Sequence, residues 1–456
     1  AYDIRLSLVG SEMCIRDRAT MKKLAFALLL AAALGTLPEA RAQRISDYTL
    51  VIDKRGCDAA NMRVDCSFRL DFEEADSVAL AFGGDPELSV EHLTFGANPR
   101  LEARYDAAAK RLLLRRSGAQ SVPVRMSYNY TNLSAFFIYG AGNAELWETS
   151  YGEFYYPIPT NGRMELTLEV RTPDSLSLLG SYPLRRIDAG RHACTVKGML
   201  AQSLSLAFFR TEAYTHSAEA TAGGDIDIYQ LAGMECTPER RNELLTLTQA
   251  ATDYFGRIYG ETYRAPQRNI PSLPTFLFHD SKGFSNRYNI GFISASQEKF
   301  STYPDIYPLV HEIGHRWLGE WTLLIDDGEP GAYFIKESLN EFMTLMFIRH
   351  HFGEEAYRAQ LERCEREYRA IEGTPGDEPL IAMVRNDNNT VVYRKGPLLL
   401  DRLARHIGYD RLTEAIAGFY REYCGRHPLA YEDFAAWFER CCPGRGALLN
   451  ELITRK

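Results

Sequence analysis

Residues 307–319 read Tyr307-Pro308-Leu309-Val310-His311-Glu312-Ile313-Gly314-His315-Arg316-Trp317-Leu318-Gly319. The centre of this stretch is H-E-x-x-H, and its flanks suit a helix. A spacing of four sets His311 and His315 on one helix face, where a single ion can bridge both imidazoles. Glu312 lies about a hundred degrees around the axis and can reach a water on that ion as general base. The plain alternative is a helix with two satisfied histidines, and a third ligand separates the two readings. Zinc catalysis takes three protein ligands and leaves a position for water. The next helical stretch is Phe334-Ile335-Lys336-Glu337-Ser338-Leu339-Asn340-Glu341-Phe342. Glu337 and Glu341 share a face of it, so spacing alone admits either one. A surface carboxylate is the ordinary fate of a helical Glu.

Outward from that site the apolar period is helical. Thr237-Pro238-Glu239 opens a helix with Pro in its first turn, running to about Tyr259. Pro274 to Phe278 reads as a strand. Helical patterns follow near 304–320, 335–351, 354–371, 395–407, 410–424 and 431–440. From Asp47 to about Leu231 the period is two instead. Short Val/Leu/Phe/Tyr runs such as 47–52, 112–114 and 164–170 alternate with Gly, Pro, Asn and Asp, the pattern of antiparallel strands. The expected fold is multidomain α+β, with a β domain over 43–231 and a mainly helical domain with a small sheet over 232–456.

Residues 21–42 read as a secretory signal. Met21-Lys22-Lys23 gives the positive start, Leu24 to Leu34 the apolar run, and Ala40-Arg41-Ala42 an A-x-A cleavage site. Residues 1–20 precede the signal's own Met and resemble translated adapter sequence, so they are set aside as non-native. The mature chain is expected to start at Gln43, with no membrane insertion after cleavage, in the periplasm or outside the cell. Of the 9 Cys, eight lie beyond Cys14, and an even number in an oxidising compartment favours disulfides. Cys57 with Cys66 and Cys194 with Cys236 are the pairs that proximity suggests.

Composition narrows the class. With 45% hydrophobic and 12% aromatic residues, the 456-residue chain has ample apolar surface for more than one core. A net charge of -8 argues against nucleic acid as the partner.

The stretch from Leu309 to Gly319 resembles the zinc helix of the alanyl-aminopeptidase family of gluzincin metallopeptidases, in which H-E-x-x-H-x-W recurs. Phe334 to Phe342 is similar to that family's W-L-x-E-G segment, whose Glu is the third ligand and aligns with Glu337. Tyr393-Arg394-Lys395-Gly396 matches Y-x-K-G, whose Tyr stabilises the tetrahedral oxyanion. Tyr48 to Asp53 and Glu153 to Pro157 resemble the family's β-saddle domain, and Tyr254-Phe255-Gly256 the run into the catalytic sheet. The resemblance implies an N-terminal antiparallel β saddle or sandwich followed by a thermolysin-like catalytic domain. It implies one catalytic Zn2+ on His311, His315 and Glu337, with Glu312 and Tyr393 as catalytic groups and a peptide or protein as substrate. We expect a monomer.

Three departures from the family pattern bear on specificity. Residues 316–336, twenty-one of them, separate the second His from Glu337 where the family usually has eighteen. The longer loop Asp326 to Gly331 absorbs the difference. Ser338 stands where the family usually has Gly. No G-x-M-E-N precedes the zinc helix; Gly291-Phe292-Ile293-Ser294-Ala295 occupies roughly that place. In the family that motif's Glu helps hold the substrate's free amine. Glu153, Glu298 and the Asp326–Glu329 loop are substitute candidates, the loop reading more readily as a solvated turn. The functional expectation is therefore a secreted, aminopeptidase-like zinc peptidase. Its alternatives are an endopeptidase on the same scaffold and a non-catalytic peptide-binding protein.

Overall fold

Alternation writes the first half of the chain. Along Asn61–Asp71 the side chains of Met62, Val64, Cys66, Phe68 and Leu70 are buried while those between them face outward. That period of two is the signature of a strand with one face on a core. In the computed structural model the described residues are 44–57, 61–83, 88–132, 138–139, 146–148, 154–158, 163–200, 204–260, 273–279, 286–289, 291–302, 307–319, 325, 328–384, 387–426 and 429–455. The upstream segment 1–20, the signal 21–42, Glu153, Asp326 and Asp327 lie outside them.

Among the described residues the largest sheet runs, in spatial order, Arg185–Asp188, Arg191–Leu200, Arg163–Arg171, Arg44–Asp53, Asn61–Asp71, Ser121–Asn132 and Leu88–Phe95. A second sheet orders Phe154–Ile158, Ser77–Gly83, Arg111–Arg116 and Leu101–Asp106. Their inner faces share one core, in which Tyr48, Phe68, Phe82, Leu112 and Tyr128 are buried. The antiparallel expectation fails at one pair. Arg44–Asp53 runs parallel to Arg163–Arg171, with Tyr48 opposite Leu166 and Ile52 opposite Val170. A long excursion through the other strands separates the two, as a parallel pairing requires.

A third sheet holds Leu176–Gly180, Leu206–Arg210, Leu146–Glu148 and Ile138–Tyr139, and a fourth holds Tyr214–Thr221, Gly224–Leu231, Thr275–His279, Phe292–Ser296 and Asn286–Asn289. The hairpin 214–231, whose alternation reads with the first half, hydrogen-bonds into the sheet of the second half. Both faces of that fourth sheet are covered. Phe276, Phe278, Ile293 and Ala295 join the helical core. Leu277 and Phe292 pack on the opposite face with Phe209, Tyr214 and Leu231.

The helices of the second half are α1 (Pro238–Tyr259), α2 (Gln297–Thr302), α3 (Tyr307–Gly314), α4 (Leu339–Phe352), α5 (Glu354–Tyr368), α6 (Gly396–Ile407), α7 (Tyr409–Tyr423), α8 (Tyr431–Cys441) and α9 (Gly446–Thr454). Thr237 caps α1, its side chain accepting from the Arg240 N–H at 3.2 Å, and Pro238 occupies the first turn where its missing N–H costs nothing. α4 is buried on every side from Leu339 to Ile348, which makes it the central helix of this half. None of the helices among the described residues is long and apolar enough to cross a membrane.

The eight described cysteines are free thiols, which corrects the expected disulfides. Cys66 pairs across its sheet with Leu50, whereas Cys57 follows the end of that strand at Asp53. Three residues of strand alone put about 10 Å between them, beyond disulfide reach. Cys66 instead points into the core and donates to the Tyr48 hydroxyl at 3.2 Å. Cys194 packs at the edge of the first core and Cys236 belongs to the helical one.

Candidate metal centre

The helix expected over 304–320 ends early. α3 stops at Gly314, and His315 sits in the hydrogen-bonded turn that follows, its N–H still reaching His311 O at 3.3 Å. The spacing of four therefore survives, and the two imidazoles stand edge to face with centroids 4.6 Å apart. Gly319 closes the turn at φ +98, a left-handed conformation that favours glycine, and a Cβ there would crowd His315 Nδ1 at 2.9 Å. Gly314 is equally constrained, because a Cβ would overlap Asn340 Oδ1. That close approach lets Asn340 Nδ2 donate to His311 O at 2.8 Å, so α4 grips α3 at the first histidine.

Glu337 arrives on a π turn. Phe334–Ser338 closes i→i+5 bonds before α4 begins at Leu339. Tyr393 also sits on a π turn, Val391–Lys395, which leads into α6. Such wide turns occur mostly as single insertions in helices, frequently at functional sites. Neither is legible from apolar periodicity, since a single wide turn spans too few residues to show a period of its own.

Glu337 Oε2 lies 3.2 Å from His311 Nε2 and 3.2 Å from His315 Nε2. The three ligand atoms fall within 4.8 Å of one another, and all three residues are buried. Glu341, the other carboxylate of the same face, goes elsewhere. Its Oε2 is 2.6 Å from His311 Nδ1, on the opposite edge of that ring. His315 Nδ1 lies 3.0 Å from Leu318 O.

The Glu341 carboxylate beside His311 Nδ1 and the Leu318 carbonyl at His315 Nδ1 favour ring protons on the outer nitrogens. With both rings neutral, two Nε2 lone pairs and a carboxylate oxygen converge on one point. A cation satisfies that arrangement, and a His2Glu set is a known catalytic zinc ligand set. The residues therefore fit the metal. Without one, the charges compensate one another. Burial works against a charged His311, yet Glu341 and Glu337 outweigh it and hold the imidazole well above its ordinary pKa. His315 is raised by Glu337 against the same burial. Glu337 is desolvated as well, but His315 and His311 pull it far below the usual carboxylate range.

Glu312 is buried next to His311 on α3. The half-buried Tyr393 ring stands 5.6 Å from the His311 ring at 65°. Thus His311, Glu312, His315, Glu337 and Tyr393, chosen from the sequence, gather in one place. Sequence reasoning carried Glu341 only as an alternative ligand, and missed Asn340 and Arg394 as supporting residues. Gly291 leads into Phe292–Ser296, an internal strand of the fourth sheet, with Asn286–Asn289 beside it at the edge among the described residues. Glu298 and Glu329 are exposed.

The M1 zinc metallopeptidase from Deinococcus radiodurans superposes with a TM-score of 0.64 over 91% of this chain and 94% of that one, at 12% identity. The fold is that of an M1 zinc metallopeptidase. A point mutant of the same enzyme, alone and bound to a Tyr-Ser-Ala substrate, matches at 0.64 and 13% identity over 91% and 95% of the two chains. No family model and no curated protein matches the sequence.

Proposed function

We propose that this protein is a zinc-dependent peptidase whose second half, 232–456, is a thermolysin-like catalytic domain built onto the β domain 43–231. The observation that carries the reading is the convergence of His311 Nε2, His315 Nε2 and Glu337 Oε2, with the Glu341 carboxylate and the Leu318 carbonyl close to the two outer ring nitrogens. Shared fold with enzymes of that description supports it.

His311, His315 and Glu337 would hold the ion. Zinc at such a site supplies Lewis acidity, which makes a water acidic near neutral pH and polarises a carbonyl. Glu312 accepts the proton of the attacking water and returns it to the leaving amine. The Tyr393 hydroxyl donates to the oxyanion that develops on the scissile carbonyl. Burial of Glu312 and the histidines keeps competing water out and strengthens each of these interactions.

Aminopeptidase-like action is the first reading. A second, internal cleavage, is favoured by one observation. The hairpin Asn286–Ser296 reads Asn-Arg-Tyr-Asn-Ile-Gly-Phe-Ile-Ser-Ala-Ser and carries no carboxylate to meet a free amine. We further propose export, directed by the signal pattern of 21–42, and action as a monomer on a peptide or protein substrate.

The test is zinc content and turnover of residues 43–456 and its Glu312→Gln variant on matched free and N-acetylated peptides, resolved by mass spectrometry. The expected result is one zinc per chain in both proteins, with chelator-sensitive cleavage in the parent only. Retained turnover in the variant would remove Glu312 as the base. Zinc bound with no cleavage of either peptide set would favour a binding protein. Cleavage of acetylated peptides marks the internal mode, and loss from free N-termini alone the exopeptidase mode.

A further inference from the structure

Two backbone facts shape the surroundings of Tyr393. Its π turn closes when the Gly396 N–H donates to Val391 O. One position on, the Val392 carbonyl looks five residues ahead to Pro397, which has no N–H to give. A buried carbonyl left without a donor is costly and rare in native proteins. Ser338 supplies the donor from another element: its Oγ–H reaches Val392 O at 2.8 Å. Ser338 follows Glu337 directly and is fully buried. The space is shaped around its hydroxyl, since a Cβ on Gly396 would overlap Ser338 Oγ.

On the other side of Tyr393 stands Arg394. Its Nη1 lies 3.5 Å from Glu341 Oε1 and also donates to the Tyr393 carbonyl at 3.0 Å. Its Nε pairs with Glu367 of α5. Glu341 comes three residues after Ser338 on the same helical segment. The residues immediately before and after Tyr393 are therefore both tied to the segment that carries Glu337, one by a hydrogen bond and the other by an ion pair.

We propose that Ser338 and the Glu341–Arg394 pair form a two-point clamp that sets the Tyr393 hydroxyl relative to the triangle of His311, His315 and Glu337. Ser338 and Arg394 are thus positioning residues for oxyanion stabilisation, a role that rests on the peptidase reading above. The clamp explains why Ser stands after Glu337 in this chain. A glycine there would leave Val392 O without its donor and free one side of the turn. Donors held in place before the reaction contribute most where the site excludes water, and a displacement of about 1 Å can cost 10²-fold in rate.

The test is a set of mutant cycles on the zinc-loaded full chain. Ser338→Ala and Arg394→Gln are each expected to lower kcat about 10- to 100-fold with little change in KM. In a Tyr393→Phe background, where no hydroxyl is left to position, each is expected to cost less than about threefold. Arg394→Lys, which keeps the charge, should recover part of the loss. Equal losses in both backgrounds, or a change in KM alone, would overturn the clamp. A second readout needs neither zinc nor turnover: 19F resonance of 3-fluorotyrosine placed at position 393 in the apoprotein. The expected outcome is a shifted and broadened line in Ser338→Ala and Arg394→Gln. An unchanged line refutes the clamp even if the protein proves not to be a peptidase, so the two readings fail separately.

Discussion

Glu341 Oε2 lies 2.6 Å from Nδ1 of His311, across the imidazole from Glu337. Two carboxylates thus bracket one ring, and only Glu337 also reaches His315. A carboxylate so placed favours the ring proton on Nδ1, which leaves Nε2 for a cation at the centre. Loss of such an outer partner typically weakens metal binding 10- to 100-fold. Glu341→Gln should accordingly weaken zinc affinity by about that factor, whereas Glu337→Ala should weaken it much further. Competition with a calibrated chelator measures both. The opposite ranking would exchange the two roles.

Tyr393→Phe removes the hydroxyl of a ring that stands 5.6 Å from the His311 ring and keeps that ring contact. If the hydroxyl is the oxyanion donor, kcat falls about 10²–10³-fold, the usual cost of one such donor. Zinc content should not change. Steady-state kinetics beside metal analysis checks the prediction, and an unaltered kcat would reduce Tyr393 to a packed aromatic.

Much of this site was legible in the sequence because its chemistry is periodic. Spacing four marks His311 and His315, whereas Glu337 lies on a separate element and has no phase relation to them. Spacing did not decide between Glu337 and Glu341, since both share a face; the resemblance to W-L-x-E-G pointed to Glu337, and the approach angle of α4 to α3 separates the two. That angle is set by Gly314 against Asn340, a tertiary contact without local signature. Alternation in the first half gave the strands but not the parallel pairing of Arg44–Asp53 with Arg163–Arg171, which the long chain path between them decides. Cysteine number suggested disulfides, but pairing depends on where strand register puts each thiol. The short helix Gly446–Thr454 lacked enough turns to show a period.

Gly314→Ala tests the grip of α4 on α3. The added methyl would overlap Asn340 Oδ1, which must then move and loosen the bond from its Nδ2 to His311 O. Overpacking of this kind costs about 1–3 kcal/mol. We expect a lower urea midpoint together with weakened zinc binding, because the displaced group holds the backbone of a proposed ligand. A change in stability with unaltered zinc affinity would show that the contact is only structural.

Thiol titration in denaturant should find the eight cysteines from Cys57 to Cys442 reactive without prior reduction. A reductant should leave the melting temperature unchanged. In the folded protein burial pushes Cys66 and Cys364 each up to about 12, far from the thiolate form at neutral pH. Fewer thiols before reduction than after it would restore a disulfide.

Lys395 of the Tyr-Arg-Lys-Gly run is buried, and its Nζ meets Asp377 Oδ1 at 2.7 Å and Glu378 O at 3.0 Å. Tyr368 and the Gly373 N–H also donate to Asp377, each at 3.0 Å. This pair pins the end of the π turn that carries Tyr393 to the segment before it. Removing one partner of a buried pair leaves a charge uncompensated, at a cost of about 3–5 kcal/mol. Asp377→Asn should destabilise the protein by roughly that amount at pH 7, read from denaturant unfolding. The pH dependence has a definite sign. Burial raises the Asp377 carboxyl, but the Lys395 ammonium and the other donors outweigh it and hold the folded pKa below the ordinary value. A depressed carboxylate contributes its full stability above its unfolded pKa, about 3.9, and loses it as pH falls through the lower folded value. The gap between parent and Asp377→Asn should therefore stay level from pH 7 to about 4 and narrow below that. A gap that instead widened on acidification would mean that Asp377 is protonated in the native protein and that Lys395 is held by the backbone carbonyl alone.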